Sequence, residues 1–177
     1  VGGDFYNVVV RDSGEIYFAI GDVSGKGISA SLLMAQTLSA MDYIFAETTG
    51  PADALTRLNA TLSARVVQGM FVTTLIGRFL PGSGQVELSS AGHCRPVILR
   101  ADGTAEEIKT TSALPLGVFP HVIYEQDTIP LAPGDWVVTF TDGLSESRQT
   151  DDSFFGDFIP STLARRSLST PQAIVEA

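Results

Sequence analysis

Asp4-Phe5-Tyr6-Asn7-Val8-Val9-Val10-Arg11-Asp12-Ser13-Gly14-Glu15-Ile16-Tyr17-Phe18-Ala19-Ile20-Gly21-Asp22 reads as two strands and a tight turn. Residues 5 to 11 and 15 to 21 are rich in β-branched and aromatic side chains, and Asp12-Ser13-Gly14 places a glycine where a three-residue hairpin loop needs a left-handed backbone. A turn about Ser13 sets Arg11 against Glu15 as a favourable charge pair and Asp4 against Asp22. Period-two alternation puts Asp4, Tyr6, Val8 and Val10 on one face with Ile16, Phe18, Ile20 and Asp22, a stripe expected to face the core. Two carboxylates then stand side by side with Cβ atoms roughly 4.5 to 5.5 Å apart, which is destabilising unless protons or cations neutralise them.

The segment from Trp136 repeats the pattern. Trp136, Val138 and Phe140 alternate inward, and Asp142 stands next on the same face before Gly143 turns the chain. Three carboxylates at the end of apolar stripes make a hard-oxygen site of the kind Mg²⁺ or Mn²⁺ prefers, with waters completing the coordination. The structural alternative is that each Asp merely serves its turn. That suffices for one such residue, whereas three together favour the metal.

The rest of the chain supplies helices and further strands. Residues 28 to 46 carry Met34, Leu38, Met41 and Phe45 at helical spacing, with enough other apolar residues to suggest a largely buried helix. Residues 51 to 67 form a second helix, with Pro51 in its first turn and a stripe of Leu55, Leu58, Leu62 and Val66. Strands follow at 71 to 80, 85 to 91, 96 to 101, 122 to 129 and 135 to 141, then a short helix near 157 to 167 and another from Pro171. Consecutive strands imply an α+β fold of antiparallel sheets packed on each other with helices outside.

Composition narrows the class. The 177 residues suit one domain, and 44% hydrophobic with 18% charged residues is globular composition. Eleven basic against twenty acidic residues give a net charge of −9, which argues against nucleic acid and suits cations. The single cysteine, Cys94, excludes intramolecular disulfides and fits a reducing cytoplasm. No apolar run is long enough to insert into a membrane.

Beyond the acids, Gly2-Gly3-Asp4-Phe5-Tyr6, Gly21-Asp22-Val23-Ser24-Gly25-Lys26-Gly27, Phe71-Val72-Thr73, Ala91-Gly92-His93, Leu114-Pro115-Leu116-Gly117, Pro133-Gly134-Asp135 and Thr141-Asp142-Gly143-Leu144-Ser145-Glu146 occur in order. In order and spacing this set resembles the SpoIIE/RsbU branch of PP2C-type (PPM) serine/threonine phosphatases. The resemblance implies an αββα sandwich, two Mn²⁺ or Mg²⁺ ions, and hydrolysis by a metal-activated water without a covalent phosphoenzyme. It further implies a phosphorylated STAS-type anti-anti-sigma protein as substrate and an upstream sensor or regulatory domain in the same chain. Carried over by position, Asp22 is the bridging ligand, the Val23 carbonyl a ligand of the first metal, Asp142 a ligand of the second, and Asp4 a ligand directly or through water.

Such domains usually have a late Asp-Asp motif before a final core strand. Residues 1 to 177 are therefore expected to be one domain, truncated at both ends, from a longer protein and lacking that strand. Lys26 stands where His is frequent and Cys94 where Asn is frequent. Asn7, where Asp is common, is turned away from Asp4 and Asp22 by alternation.

Rival signals are weaker. His93-Cys94 with Arg100 matches H-C-x5-R of cysteine-dependent phosphatases, but Pro96 lacks an N–H and Val97-Ile98-Leu99 form strand where a phosphate-wrapping loop is needed. Gly21 to Lys26 has the wrong spacing for a phosphate-binding loop, and Phe5 displaces the second acid of a diguanylate cyclase signature. A non-catalytic PP2C-like domain that binds a partner or senses metal is the alternative from a different class. His93 is a further candidate for a place near the metals.

Overall fold

The computed structural model describes residues 2–64, 69–148, 153–164 and 170–175. In chain order these form β1 (Phe5–Val10), β2 (Ile16–Val23), α1 (Ile28–Glu47), α2 (Pro51–Ser63), β3 (Val72–Phe79), β4 (Gln85–Ala91), β5 (Val97–Leu99), β6 (Ala105–Glu107), β7 (Ser112–Ala113), β8 (Asp127–Pro130), β9 (Trp136–Val138), α3 (Asp142–Ser145), a 3₁₀ turn (Phe155–Phe158), α4 (Ile159–Ala164) and α5 (Pro171–Val175). They divide into two units, Val1–His93 with Thr110–Pro130 and Cys94–Lys109 with Leu131–Ala177.

The first unit is built outward from the β1–β2 hairpin. Its register runs from Phe5 opposite Gly21 to Val10 opposite Ile16, as the turn about Ser13 requires. Gly14 supplies the positive φ, and Arg11 meets Glu15 at 3.2 Å. β2 pairs with β3 and β3 with β4, all antiparallel. The far edge of β4 is shared by β8, antiparallel, and the two-residue β7, parallel.

Helices α1 and α2 cover one face of this sheet. Phe5, Tyr17, Ala19, Val23, Val72 and Ile76 pack against Leu33, Met41, Ile44 and Phe45 of α1 and Leu55, Leu58 and Leu62 of α2. Each large apolar side chain buried there contributes roughly 1.5 to 3 kcal/mol. Asp53 in the first turn of α2 accepts hydrogen bonds from the Thr49 N–H and the Thr48 hydroxyl, so a carboxylate meets the positive end of the helix. Arg11 lies 4.4 Å over the Tyr17 ring and donates to the carbonyls of Phe45 and Thr48, tying the hairpin turn to the end of α1. Arg78 joins Glu15 to Glu87 and pins β2, β3 and β4 in one register.

The helices cover the face opposite to the expected one. Tyr6, Val8 and Val10 are 78%, 58% and 66% exposed, while Phe5, Tyr17, Ala19 and Val23 are buried. Both faces of the hairpin are apolar, so alternation fixes which residues share a face but leaves open which face the helices take. Asp4 and Asp22 do terminate the Tyr6–Val8–Val10 stripe. Asn7 is on the helix side, where its amide donates to Asp42 at 2.7 Å.

In the second unit β5 lies between β6 and β9, both antiparallel to it. Val97, Ile159 and Leu163 form its small core with Ala105, Val138, Phe140, Phe155 and Ile174 packed around them. The Asp135 carboxylate accepts from the backbone N–H of Ala101 and Ala132 and from Arg100, closing the turns at both ends.

Several expected elements shift. The strand expected at 122 to 129 is β8 at 127–130, ending on Pro130 at the sheet edge, where a missing N–H is tolerated. The strands at 96 to 101 and 135 to 141 shrink to three residues each. Asp142 therefore opens α3 instead of extending β9, and Gly143 lies within that helix. Helix α1 is not largely buried: it turns Leu33, Met41, Ile44 and Phe45 inward and leaves Ile28, Leu32 and Tyr43 exposed. α2 ends at Ser63, and Val66 lies outside the described residues, as does the end of the helix expected to reach 167. The short strands β6 and β7 and the helix α3 were not anticipated. No helix among the described residues is long and apolar enough to cross a membrane.

Candidate metal centre at the end of the first sheet

The last turn of β2 is shaped by glycine on both sides of Asp22. A Cβ on Gly21 would lie 2.5 Å from the Phe5 ring and 2.5 Å from the Thr73 carbonyl oxygen, so only glycine lets β1 and β3 close on β2 there. Val23 donates its N–H to the Gly3 carbonyl at 3.2 Å, which carries the hairpin register past Phe5 and puts Asp4 across from Asp22. The Val23 side chain is buried on the helix side. Asp22 points to the other face and is half-buried, and Asp4 is exposed.

Gly3 presses against these groups. A Cβ on it would meet the Val23 carbonyl oxygen at 2.4 Å and Asp22 Oδ1 at 2.7 Å. Two hard oxygens are thus lined up against a backbone that carries no side chain, with a second carboxylate across the ladder. The donor chemistry and the cradle both fit a divalent cation that takes oxygen ligands. Gly25 and Gly27, at φ 92° and 85°, then release the chain into α1.

Two residues support Asp22, Thr73 from β3 and His93 from the turn after β4. Thr73 pairs with Asp22 in the ladder, and its hydroxyl makes a long 3.5 Å contact to the Asp22 carbonyl and a 3.1 Å hydrogen bond with His93 Nδ1. In the pair with His93 the hydroxyl and Nδ1 can each donate or accept, according to the imidazole tautomer. His93 is buried, and its backbone N–H donates to Ser90 Oγ at 3.3 Å. His93 therefore reaches the centre through Thr73. The readable signal for Thr73 was its place opposite Asp22 once β3 is aligned on β2.

Asp142 belongs to the second unit. It is exposed at the start of α3, and its carbonyl accepts from the Glu146 N–H at 2.7 Å and from Ser145 Oγ at 3.4 Å. Gly156 abuts Ser145 and fixes the far side of this helix. The structure thus brings together Asp4, Asp22 and Val23 of the first unit, with Asp142 on an element of the second. Among the described residues, no group of three or more His, Cys, Asp and Glu side chains stands close enough to hold a metal ion.

The H-C-x5-R reading finds no support. Burial pushes the Cys94 thiol up, and its nearest polar partner is Ser145 Oγ at 3.8 Å. A thiolate nucleophile needs the opposite shift. Arg100 is engaged with Asp135 and Glu106, and residues 97–99 form β5 as expected from their composition.

This α+β architecture is that of PP2C-type protein serine/threonine phosphatase domains. Within that class the chain belongs to the Stage II sporulation protein E (SpoIIE) family, whose family model matches residues 12–177. Phosphoserine phosphatase RsbU of Bacillus subtilis (strain 168) is 34% identical over 154 residues, which are 86% of this chain and 45% of RsbU. The chain thus spans about half the length of that relative. The solved structure of the RsbU and RsbW domains of Rv1364c from Mycobacterium tuberculosis matches with TM-score 0.82 at 25% identity over 93% of this chain and 46% of that one. The PP2C phosphatase domain of SpoIIE from Bacillus subtilis matches with TM-score 0.83 at 20% identity, covering 99% of this chain and 51% of that one. RsbX, solved in complex with magnesium, matches with TM-score 0.74 at 19% identity, covering 99% and 78%.

Proposed function

We propose that the protein removes phosphate from a phosphoserine or phosphothreonine of a regulatory protein, a STAS-type anti-anti-sigma factor, in the bacterial cytoplasm. The observation that carries this reading is the approach of Gly3 to Asp22 Oδ1 and the Val23 carbonyl, which lines two hard oxygens along a strand end. Asp22, the Val23 carbonyl and Asp4 would hold one Mn²⁺ or Mg²⁺, and by the family resemblance Asp142 would be a ligand of a second. When bound, such ions activate water and offset the charge of the phosphoryl oxygens.

The chain's own residues set up that chemistry. Asp22 pairs with Thr73 in the β2–β3 ladder, which fixes its backbone, and the Thr73 hydroxyl reaches its carbonyl from β3. Exposed Asp4 leaves the site open to water and to a bulky phosphoprotein. Gly3 keeps the approach narrow enough for a backbone carbonyl to act beside a carboxylate. The 177 residues are read as one phosphatase domain of a longer chain, with a sensor or regulatory domain upstream.

The test is phosphate release from a phosphorylated STAS protein by the full-length protein, with and without Mn²⁺. Release that needs Mn²⁺ and stops on chelation supports the reading. Binding of the phosphoprotein without release would leave a non-catalytic binding domain.

A further inference from the structure

Ala91-Gly92-His93 and Leu114-Pro115-Leu116-Gly117 supply none of the oxygens of the candidate centre, yet both bear on the peptide unit that joins two of them. Asp22 Oδ1 and the Val23 carbonyl stand on either side of the planar Asp22–Val23 peptide, so the spacing of these donors follows from how that plane is turned. One edge of the plane is held by the Val23 N–H, which donates to the Gly3 carbonyl at 3.2 Å. The other edge is the Asp22 carbonyl, and the Thr73 hydroxyl meets it at 3.5 Å.

Thr73 stands directly opposite Asp22 in the β2–β3 ladder, which puts their side chains on one face of the sheet. A threonine side chain has more than one staggered well, so its hydroxyl stays near the Asp22 carbonyl only if a partner keeps it there. That partner is His93, whose Nδ1 lies 3.1 Å from Thr73 Oγ1.

The imidazole sits on a braced turn. His93 is buried and its backbone N–H donates to Ser90 Oγ at 3.3 Å. Gly92 before it has φ 69° and no room for a Cβ, which would stand 2.9 Å from Pro115 Cγ. Leu116, next to Pro115, exchanges two backbone hydrogen bonds of 2.8 and 3.0 Å with Val72, next to Thr73. The Gly117 N–H that follows donates to the Asn59 side chain at 2.9 Å. Pro115 and Leu116 thus brace the residue that precedes each partner of the Thr73–His93 pair.

We infer that His93 is a positioning residue for the reaction: its Nδ1–H donates to the Thr73 hydroxyl, which keeps its own proton for the Asp22 carbonyl and so fixes the Asp22–Val23 plane before a cation arrives. A hydroxyl has one proton to donate, so the opposite tautomer, protonated on Nε2, would draw it to Nδ1 and away from Asp22. His93 acts through Thr73 and is not counted among the ligands. This rests on the reading of the centre as the metal site of a phosphatase.

The first test needs neither metal nor substrate. Proton–nitrogen correlation NMR of the imidazoles in the full-length protein, with His93 assigned by its loss in His93→Asn, shows which ring nitrogen carries the proton. A proton on Nδ1 is expected, and a proton on Nε2 alone overturns the inference.

The second test is calorimetric titration with Mn²⁺ of the parent, His93→Leu, His93→Asn, Thr73→Val, and Thr73→Val combined with His93→Leu. His93→Leu should weaken Mn²⁺ binding about 10- to 100-fold, the usual effect of losing a group that orients a ligand. His93→Asn, whose amide offers a donor in place of Nδ1–H, should recover most of it. In the Thr73→Val background His93→Leu should change the affinity less than about twofold, because the group it acts through is already gone.

A merely structural role gives additive losses and no recovery in His93→Asn; either result overturns the inference, as does parent-like affinity in His93→Leu. The spectra of the parent decide the matter even where His93→Leu does not fold. A parent that binds no Mn²⁺ overturns the reading of the centre and this inference with it, whereas tight binding that no His93 variant alters overturns the inference alone.

Discussion

Gly3 and Asp22 are closer than any side chain on residue 3 would allow, because a Cβ there would stand 2.7 Å from Asp22 Oδ1 and 2.4 Å from the adjoining Val23 carbonyl oxygen. That contact lines up a carboxylate and a backbone oxygen on one strand end. The donor geometry of the candidate centre depends on it.

Gly3→Ala should push these oxygens apart. Overpacking of this kind costs about 1 to 3 kcal/mol, and the displaced donors should weaken Mn²⁺ binding as well. Thermal unfolding with and without Mn²⁺ separates the two effects, since the metal-dependent rise in Tm should shrink more than the apo Tm falls.

Thr73→Val removes the hydroxyl that touches the Asp22 carbonyl and His93 while keeping the β-branched shape in β3. Mn²⁺ affinity or turnover should fall about 10- to 100-fold, the usual effect of losing a group that orients a ligand. Thr73→Ser should restore most of it, which a packing role for the methyl group would not produce. Titration calorimetry of both variants checks this.

The second unit should show an acid-labile clasp. Asp135 is held below the usual carboxylate range first by the Ala132 N–H and then by the Ala101 N–H and Arg100. A carboxyl whose folded pKa is depressed stabilises the fold above its unfolded value, near 3.9, and that contribution is lost as pH falls through the lower folded value. Asp135→Asn should lower stability at pH 7 and flatten the loss seen below about pH 4, as urea unfolding at pH 7 and in mild acid will show.

Much of the first unit was legible because local chemistry and global fold agree there. Gly14 at a turn that needs positive φ set the hairpin register, and that register alone put Asp4 across from Asp22. The covered face was not legible, since Tyr6, Val8 and Val10 are as apolar as Phe5 and Val9, and only packing against α1 decides between them. Asp142 was expected at a strand end and instead opens a helix. The three-residue β9 gives way to α3, a helix too short to leave a periodic signal. Gly3 was visible only as part of a motif, since its contact joins residues about twenty positions apart and has no local signature.

The most direct test of the account is Mn²⁺ titration of the full-length protein beside its Asp22→Asn variant, with phosphate release measured in the same samples. Removing one anionic ligand while keeping the shape of the side chain should abolish tight Mn²⁺ binding and Mn²⁺-dependent release, with the circular dichroism unchanged. Parent-like Mn²⁺ affinity and turnover in Asp22→Asn would contradict it, because the strand end against Gly3 would then hold no metal that matters to the reaction.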